Sequence, residues 1–214
     1  RQAITAGAYL NPTMLYEMGV FSTHATEFEN QISLLLRNQQ LAAYYPPSIA
    51  DSVRQRLHQV RNYDRRYENM MMIDRVPAEL MPEYRAGYEA TKRLVKRWVE
   101  MGGKIQAGTD TVTGGTVGLG IHQEMEMLVE AGLTPMQALL AATKWSAEML
   151  EGKGGAGGSS GVGALQTGAF ADLVVLSADP LKDIRNTQRI ERVMKAGAFV
   201  KLGYTADYYT WTTT

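Results

Sequence analysis

The run Lys104-Ile105-Gln106-Ala107-Gly108-Thr109-Asp110-Thr111 constrains the fold more than any other stretch of this chain. A short strand-like segment ends in a tight glycine and then delivers a carboxylate between two hydroxyls. An open Gly/Thr loop follows, and then a helix. Strands that lead through loops into helices build α/β folds. In a β/α barrel the carboxyl end of such a strand is where catalytic and metal-binding side chains leave the packed interior. Asp110 is therefore the first candidate for chemistry.

The flanking patterns fit an α/β region. Ala8 to Leu15 reads as a strand, with Pro12 near its end where a missing donor is tolerated. Phe28, Ile32, Leu35 and Leu36 recur at the spacing of one buried helix face and predict a helix over 26–41. Tyr44-Tyr45-Pro46-Pro47 ends it, and a further helix is expected from Ile49 to Val60. Pro82 opens a stronger helix, with Tyr84, Tyr88, Thr91, Val95 and Trp98 on one face and Gly102-Gly103 as its stop. After the Asp110 loop, a helix should bury Ile121, Met125, Leu128 and Val129 and stop at Gly132. Thr134-Pro135-Met136-Gln137 is a capping box with proline at the first helical position, so a helix starts there and should run to Leu150.

Beyond Leu150 the character changes. The stretch 152–166 reads as a Gly-rich linker. It contains the G-x-G-x-x-G spacing (Gly152, Gly154 and Gly157), but a helix precedes it and a polar loop follows, the reverse of what dinucleotide binding needs. Ala171 to Leu176 is a strand, and 190–194 should pair with 198–200 across a Lys195-Ala196-Gly197 turn. The expected division is a barrel-like part over 1–151 with a helical insert at 16–100, the linker, and a small β-unit over 167–214. Arg1 to Gly7 reads like the middle of a helix, and a processed or truncated start is expected.

Composition narrows the function classes. Lysine plus arginine and aspartate plus glutamate are 22 each, and no basic stripe suggests nucleic acid as a partner. The absence of cysteine removes thiolate metal sites and disulfides. No run approaches the ~18 apolar residues of a membrane helix. Of the three histidines, His24 and His58 lie in polar surroundings and read as surface residues. His122 starts the helix after the Asp110 loop, and two readings stand: a helix-start hydrogen bond or a substrate contact at the barrel mouth. The Tyr and Met clusters over 63–72 read as core, with a mobile cover as the other reading.

Several ordered motifs together resemble the metal-dependent amidohydrolase superfamily. Gly103 to Thr111 looks like its eighth barrel strand. His122-Gln123-Glu124, then Leu128 to Pro135 and Ala138 to Thr143, is similar to its last barrel helices. Gly168 to Leu176, followed by Asp179-Pro180, looks like the strand that returns to its β-sandwich, and Val193 to Gly197 fits its last hairpin. The nearest branch is the imidazolonepropionase-like and Xaa-Pro dipeptidase-like hydrolases.

This resemblance implies an α/β chain carrying the last two β/α units of a TIM barrel plus part of a β-sandwich. It implies hydrolysis of a small amide or peptide substrate, with Asp110 as metal ligand and proton shuttle. His122 and Thr111 would lie near the substrate. The cofactor would be a divalent metal, zinc above all, as one or two ions. The family's remaining ligands find no match here, so they must come from an N-terminal portion outside this chain, and a homo-oligomer is expected of the complete enzyme. The competing expectation is a non-catalytic barrel remnant serving as an interaction or scaffold subunit.

Overall fold

The computed structural model of the chain describes residues 1–15, 51, 81–109, 118–150 and 161–203. The expected helices over 26–41 and 49–60, the clusters over 63–72, His24, His58, Asp110, Thr111 and the tail from 204 lie outside the described residues.

The first part is mixed α/β. A short helix α1 (Gln2–Thr5) leads into β1 (Tyr9–Leu10), which pairs in parallel with β2 (Lys104–Ile105). Tyr9 stands opposite Lys104 and Leu10 opposite Ile105, and the Gln106 amide extends the ladder by donating to Leu10 O at 2.9 Å. Parallel neighbours require a crossover rather than a tight turn. The described part of that crossover includes α2 (Met81–Glu100).

Helix α2 buries Tyr88 and Val95 and packs Trp98 and Val99 partly against the core, the face expected from spacing. It ends as a glycine stop should. Gly102 has φ of 86°, its amide donates to Val99 O and that of Gly103 to Trp98 O, each at 2.9 Å. The Trp98 indole then donates to Lys104 O at 2.9 Å, tying the helix end to the start of β2.

Helix α3 (Leu119–Glu130) and helix α4 (Pro135–Ala142) follow. The capping box forms as expected: Gln137 N donates to Thr134 Oγ1 at 3.2 Å, and Thr134 N donates to Gln137 Oε1 at 2.9 Å. The helix does not run unbroken to Leu150. It stops at Thr143 and resumes as α5 (Lys144–Leu150). The cause is local diversion of carbonyls. Ala141 O accepts from the Ala107 amide at 3.1 Å and from Ser146 Oγ at 2.6 Å, while the Thr143 hydroxyl takes Leu139 O at 2.6 Å. The break thereby docks the segment after β2.

One core joins these elements. Met14, Tyr88, Val95, Ile105, Met125, Leu128, Ala138 and Ala141 are buried together, and Ile184 from the C-terminal part enters the same cluster. Of the residues expected inward on α3, Met125 and Leu128 are buried and Ile121 and Val129 partly so. Gln123, Glu124 and Met127 are buried as well.

The C-terminal part is a three-stranded antiparallel sheet in the order β3 (Leu173–Leu176), β4 (Ile190–Lys195), β5 (Ala198–Val200). A register shift between Val175 and Leu176 bends the first pair. The β4–β5 connection is a two-residue turn with Ala196 at φ 50° and Gly197 at φ 82°, the doubly left-handed geometry that matches strand twist. Asp172 secures it, accepting from Ala196 N at 2.6 Å and pairing with Lys195. A 3-10 helix (Ile184–Gln188), capped by Asp183, connects β3 to β4. The described end of the linker stretch is packed: Phe170 N donates to Gly161 O at 2.7 Å, and a Cβ at Gly163 would stand 2.7 Å from Ala147 Cβ.

Candidate functional site

The carboxyl ends of β1 and β2 lie side by side, and the chain after each defines the candidate site. After β2 the chain passes Gly108 and Thr109 on its way to Asp110. After β1 it makes the turn Asn11 to Leu15. The two meet closely: a Cβ at position 108 would sit 2.5 Å from Asn11 Oδ1 and 2.6 Å from Nδ2. Only a residue without a side chain lets the Asn11 amide rest there.

The turn after β1 is strained and held. Thr13 has φ of 44°, a left-handed conformation unfavourable for a β-branched residue, at a cost of about 1–3 kcal/mol. Two features secure it. Thr13 Oγ1 donates to Asn11 Oδ1 at 2.9 Å. Glu124, completely buried, accepts from Met14 N at 3.1 Å with one carboxylate oxygen and from Leu15 N at 2.7 Å with the other. Burial pushes the Glu124 carboxyl up to about 7, against the two amide hydrogen bonds that favour the charged form.

His122 lies two residues before Glu124 on α3, and its ring reaches the C-terminal part. Its Nδ1 is 2.9 Å from Thr187 Oγ1, and the Thr187 hydroxyl donates to Ile184 O at 2.8 Å. With that hydroxyl hydrogen committed, Thr187 can only accept from the imidazole, so Nδ1 carries the proton and Nε2 is the lone-pair nitrogen of the neutral ring. Burial lowers the His122 pKa, consistent with the neutral form. Gln188 Nε2 donates to Glu126 Oε1 at 2.9 Å, a second bond along the same interface. The observed partner of His122 is thus a neighbouring element rather than its own helix start.

Other ionic groups serve the scaffold. Tyr88 donates to Glu130 at 2.9 Å, and burial followed by that carboxylate raises its pKa. Lys104 bridges to Glu148 at 2.5 Å, which raises the lysine pKa. Among the described residues no three His, Cys, Asp or Glu side chains converge as a metal would require. No helix among the described residues is long and apolar enough to cross a membrane.

Glu124 is the site residue that sequence reasoning missed. The sequence reading places it in the His122-Gln123-Glu124 motif without a role of its own, and its two amide partners lie 110 and 109 residues away. Its one local signal is a carboxylate one position before Met125, on the flank of an apolar stripe.

No family model matches the sequence, and no curated protein matches it. Solved structures do. The chain is similar to a Xaa-Pro dipeptidase solved with methionine in its active site, at 20% identity and a TM-score of 0.49, covering 92% of this chain and 36% of that one. It is similar to molinate hydrolase at 26% identity and a TM-score of 0.46, covering 52% and 26% of the two chains. With ochratoxinase from A. niger the values are 29% identity, a TM-score of 0.46 and coverage of 58% and 28%. These matched structures are amidohydrolase-family enzymes, the family that the sequence motifs resemble. The chain spans between 26% and 36% of their lengths.

Proposed function

We propose that this chain is the C-terminal portion of a metal-dependent amidohydrolase. It would contribute the last two β/α units of the barrel and part of the β-sandwich, and the complete enzyme would cleave an amide or peptide-like C–N bond in a small substrate. The observation that carries this reading is the parallel pairing of β1 with β2. That pairing sets the Asn11 turn against Gly108, two residues before the carboxylate that the family motif assigns to chemistry.

In this reading a bound divalent metal, with its other ligands on an N-terminal portion, would supply a more acidic water and a polarised carbonyl. Asp110 serves as one ligand, accepts the proton of the attacking water and returns it to the leaving amine. Thr111 and the loop after it border the substrate. His122 joins α3 to the C-terminal part through Thr187, and with Nδ1 in that bond it would meet the substrate through Nε2.

The test is Asp110→Ala in the assembled enzyme, with metal content and turnover of a dipeptide or aryl amide panel both measured. Loss of nearly all turnover supports the assignment. Near-normal turnover removes Asp110 from the mechanism.

A further inference from the structure

We infer that Glu124 is a positioning residue for the mouth of the strand pair: its carboxylate fixes the turn after β1 so that Asn11 presents its amide Nδ2 to a hydrogen-bond acceptor on the substrate. The inference rests on the reading of this mouth as the hydrolytic site, and the geometry behind it is independent of the metal. Two consecutive amides, Met14 N and Leu15 N, both point to one completely buried carboxylate on α3. A bidentate grip on adjacent amides fixes both position and rotation of the backbone, which a single bond would not. The left-handed Thr13 lies directly before this grip, where an unsupported turn would relax. Upstream of Thr13, Asn11 is exposed and rests against Gly108. Its Oδ1 accepts from Thr13 Oγ1 and both amide atoms lie against Gly108, which leaves Nδ2 as the donor for which no bond is seen among the described residues.

Glu124 itself touches no solvent, and so it acts through the turn. This predicts a specific coupling. If Asn11 is the group that meets substrate and Glu124 only places it, removing both should cost no more than removing Asn11 alone. A carboxylate that merely stabilised the fold would show no such dependence on Asn11.

The experiment is a double-mutant cycle in the assembled enzyme with Glu124→Gln, Asn11→Ala and the pair, using the best substrate of the panel above. Each single change should reduce kcat/KM roughly 10- to 100-fold, mainly through KM, the scale expected when a group held in place is displaced by about 1 Å. The double variant should match Asn11→Ala. Multiplicative losses, or Asn11→Ala with unchanged KM, overturn the inference. If the wild-type enzyme hydrolyses no amide, the proposed function fails, yet the inference is still decided by NMR of the same material. The two Asn11 side-chain amide protons should then lie away from free-amide shifts in wild type and move toward those shifts in Glu124→Gln. Resonances indifferent to that change would overturn it.

Discussion

The two parts of this molecule solve the same problem by different means. Around β1 and β2 the apolar residues are covered: Val95, Ile105 and Leu128 have no exposed surface, and even a carboxylate is enclosed. In the three-stranded sheet no strand residue is fully buried, and Val174 and Phe199 remain 53% and 55% exposed. The register shows why. Leu173, Met194 and Phe199 stand across one face, while Val174, Val193 and Val200 stand across the other, so both faces are apolar and neither is closed over. The first part is held by side-chain burial between distant segments. The second is held by ladder hydrogen bonds and by charged groups at its turn. Sites built on the first part inherit rigidity from packing, which is where the strained Asn11 to Leu15 turn is found.

Large-to-small changes should expose this contrast most sharply. Leu128→Ala leaves a cavity in a core with no slack and should destabilise by about 2–5 kcal/mol in chemical denaturation. Val174→Ala removes a side chain already half in water and should cost less than ~1 kcal/mol in the same experiment. Equal losses would mean that the exposed sheet face is covered in the folded protein.

The next effect comes from the enclosed carboxylate. The folded pKa of Glu124 lies near 7 against an ordinary value of 4.5. Between those values the unfolded chain has released a proton that the folded protein still holds, so stability falls as pH rises across this window. By linkage the fall amounts to about 3 kcal/mol. Glu124→Gln has no proton to release and should flatten that slope, as urea titrations from pH 4.5 to 7 would reveal. His122 works in the opposite direction. Its lowered pKa means that the unfolded chain takes up a proton first, so its contribution is lost as pH falls through the ordinary histidine value of 6.5.

What could be read from residues alone follows the range of the interactions. The Thr134–Gln137 capping box, the Gly102 and Gly132 stops and the 190–200 hairpin each depend on partners within a few positions, and each was legible. The break at Thr143 was not, because it depends on Ala107, a segment 34 residues earlier that competes for the Ala141 carbonyl. The burial of Glu124 was not legible for the same reason at greater range. The 3-10 helix after Asp183 carried a local cap signal, an aspartate whose side chain accepts from Arg185 N at 3.0 Å, but five residues are too few to give a periodicity. The strand that leads toward Asp110 was legible, while the Asn11 turn beside it was not, because the residue that fixes that turn lies on a distant helix.

A smaller loss should follow from the cap. Thr134→Ala deletes the acceptor for Gln137 N and should cost ~1 kcal/mol, measured as a shift in the denaturation midpoint. Because α4 packs Ala138 into the shared core, this loss should appear as cooperative unfolding of the first part rather than as local fraying.

The smallest effect belongs to the sheet and tests how it is held. Asp172 bonds the Ala196 amide and pairs with Lys195, and these contacts, the amide foremost, keep its carboxyl below the ordinary value of 3.8. A depressed carboxylate contributes above its unfolded pKa and loses that contribution as pH falls through its folded one. The ion pair with Lys195 lies at the solvent-facing surface, where screening weakens it, so the global midpoint should barely move in Asp172→Ala. Exchange of the Ala196 amide should nevertheless quicken at neutral pH, because a non-glycine residue at φ 50° loses the acceptor that holds it. Gly197 should respond less, since its own amide donates to Ala171 O at 3.0 Å and keeps that bond. Replacing Ala196 with glycine in the same background should restore the hairpin, because glycine adopts the left-handed conformation without a side-chain penalty. If exchange stays fast after that replacement, the carboxylate holds more than the turn, and the contrast between a packed part and an electrostatically pinned one would need redrawing.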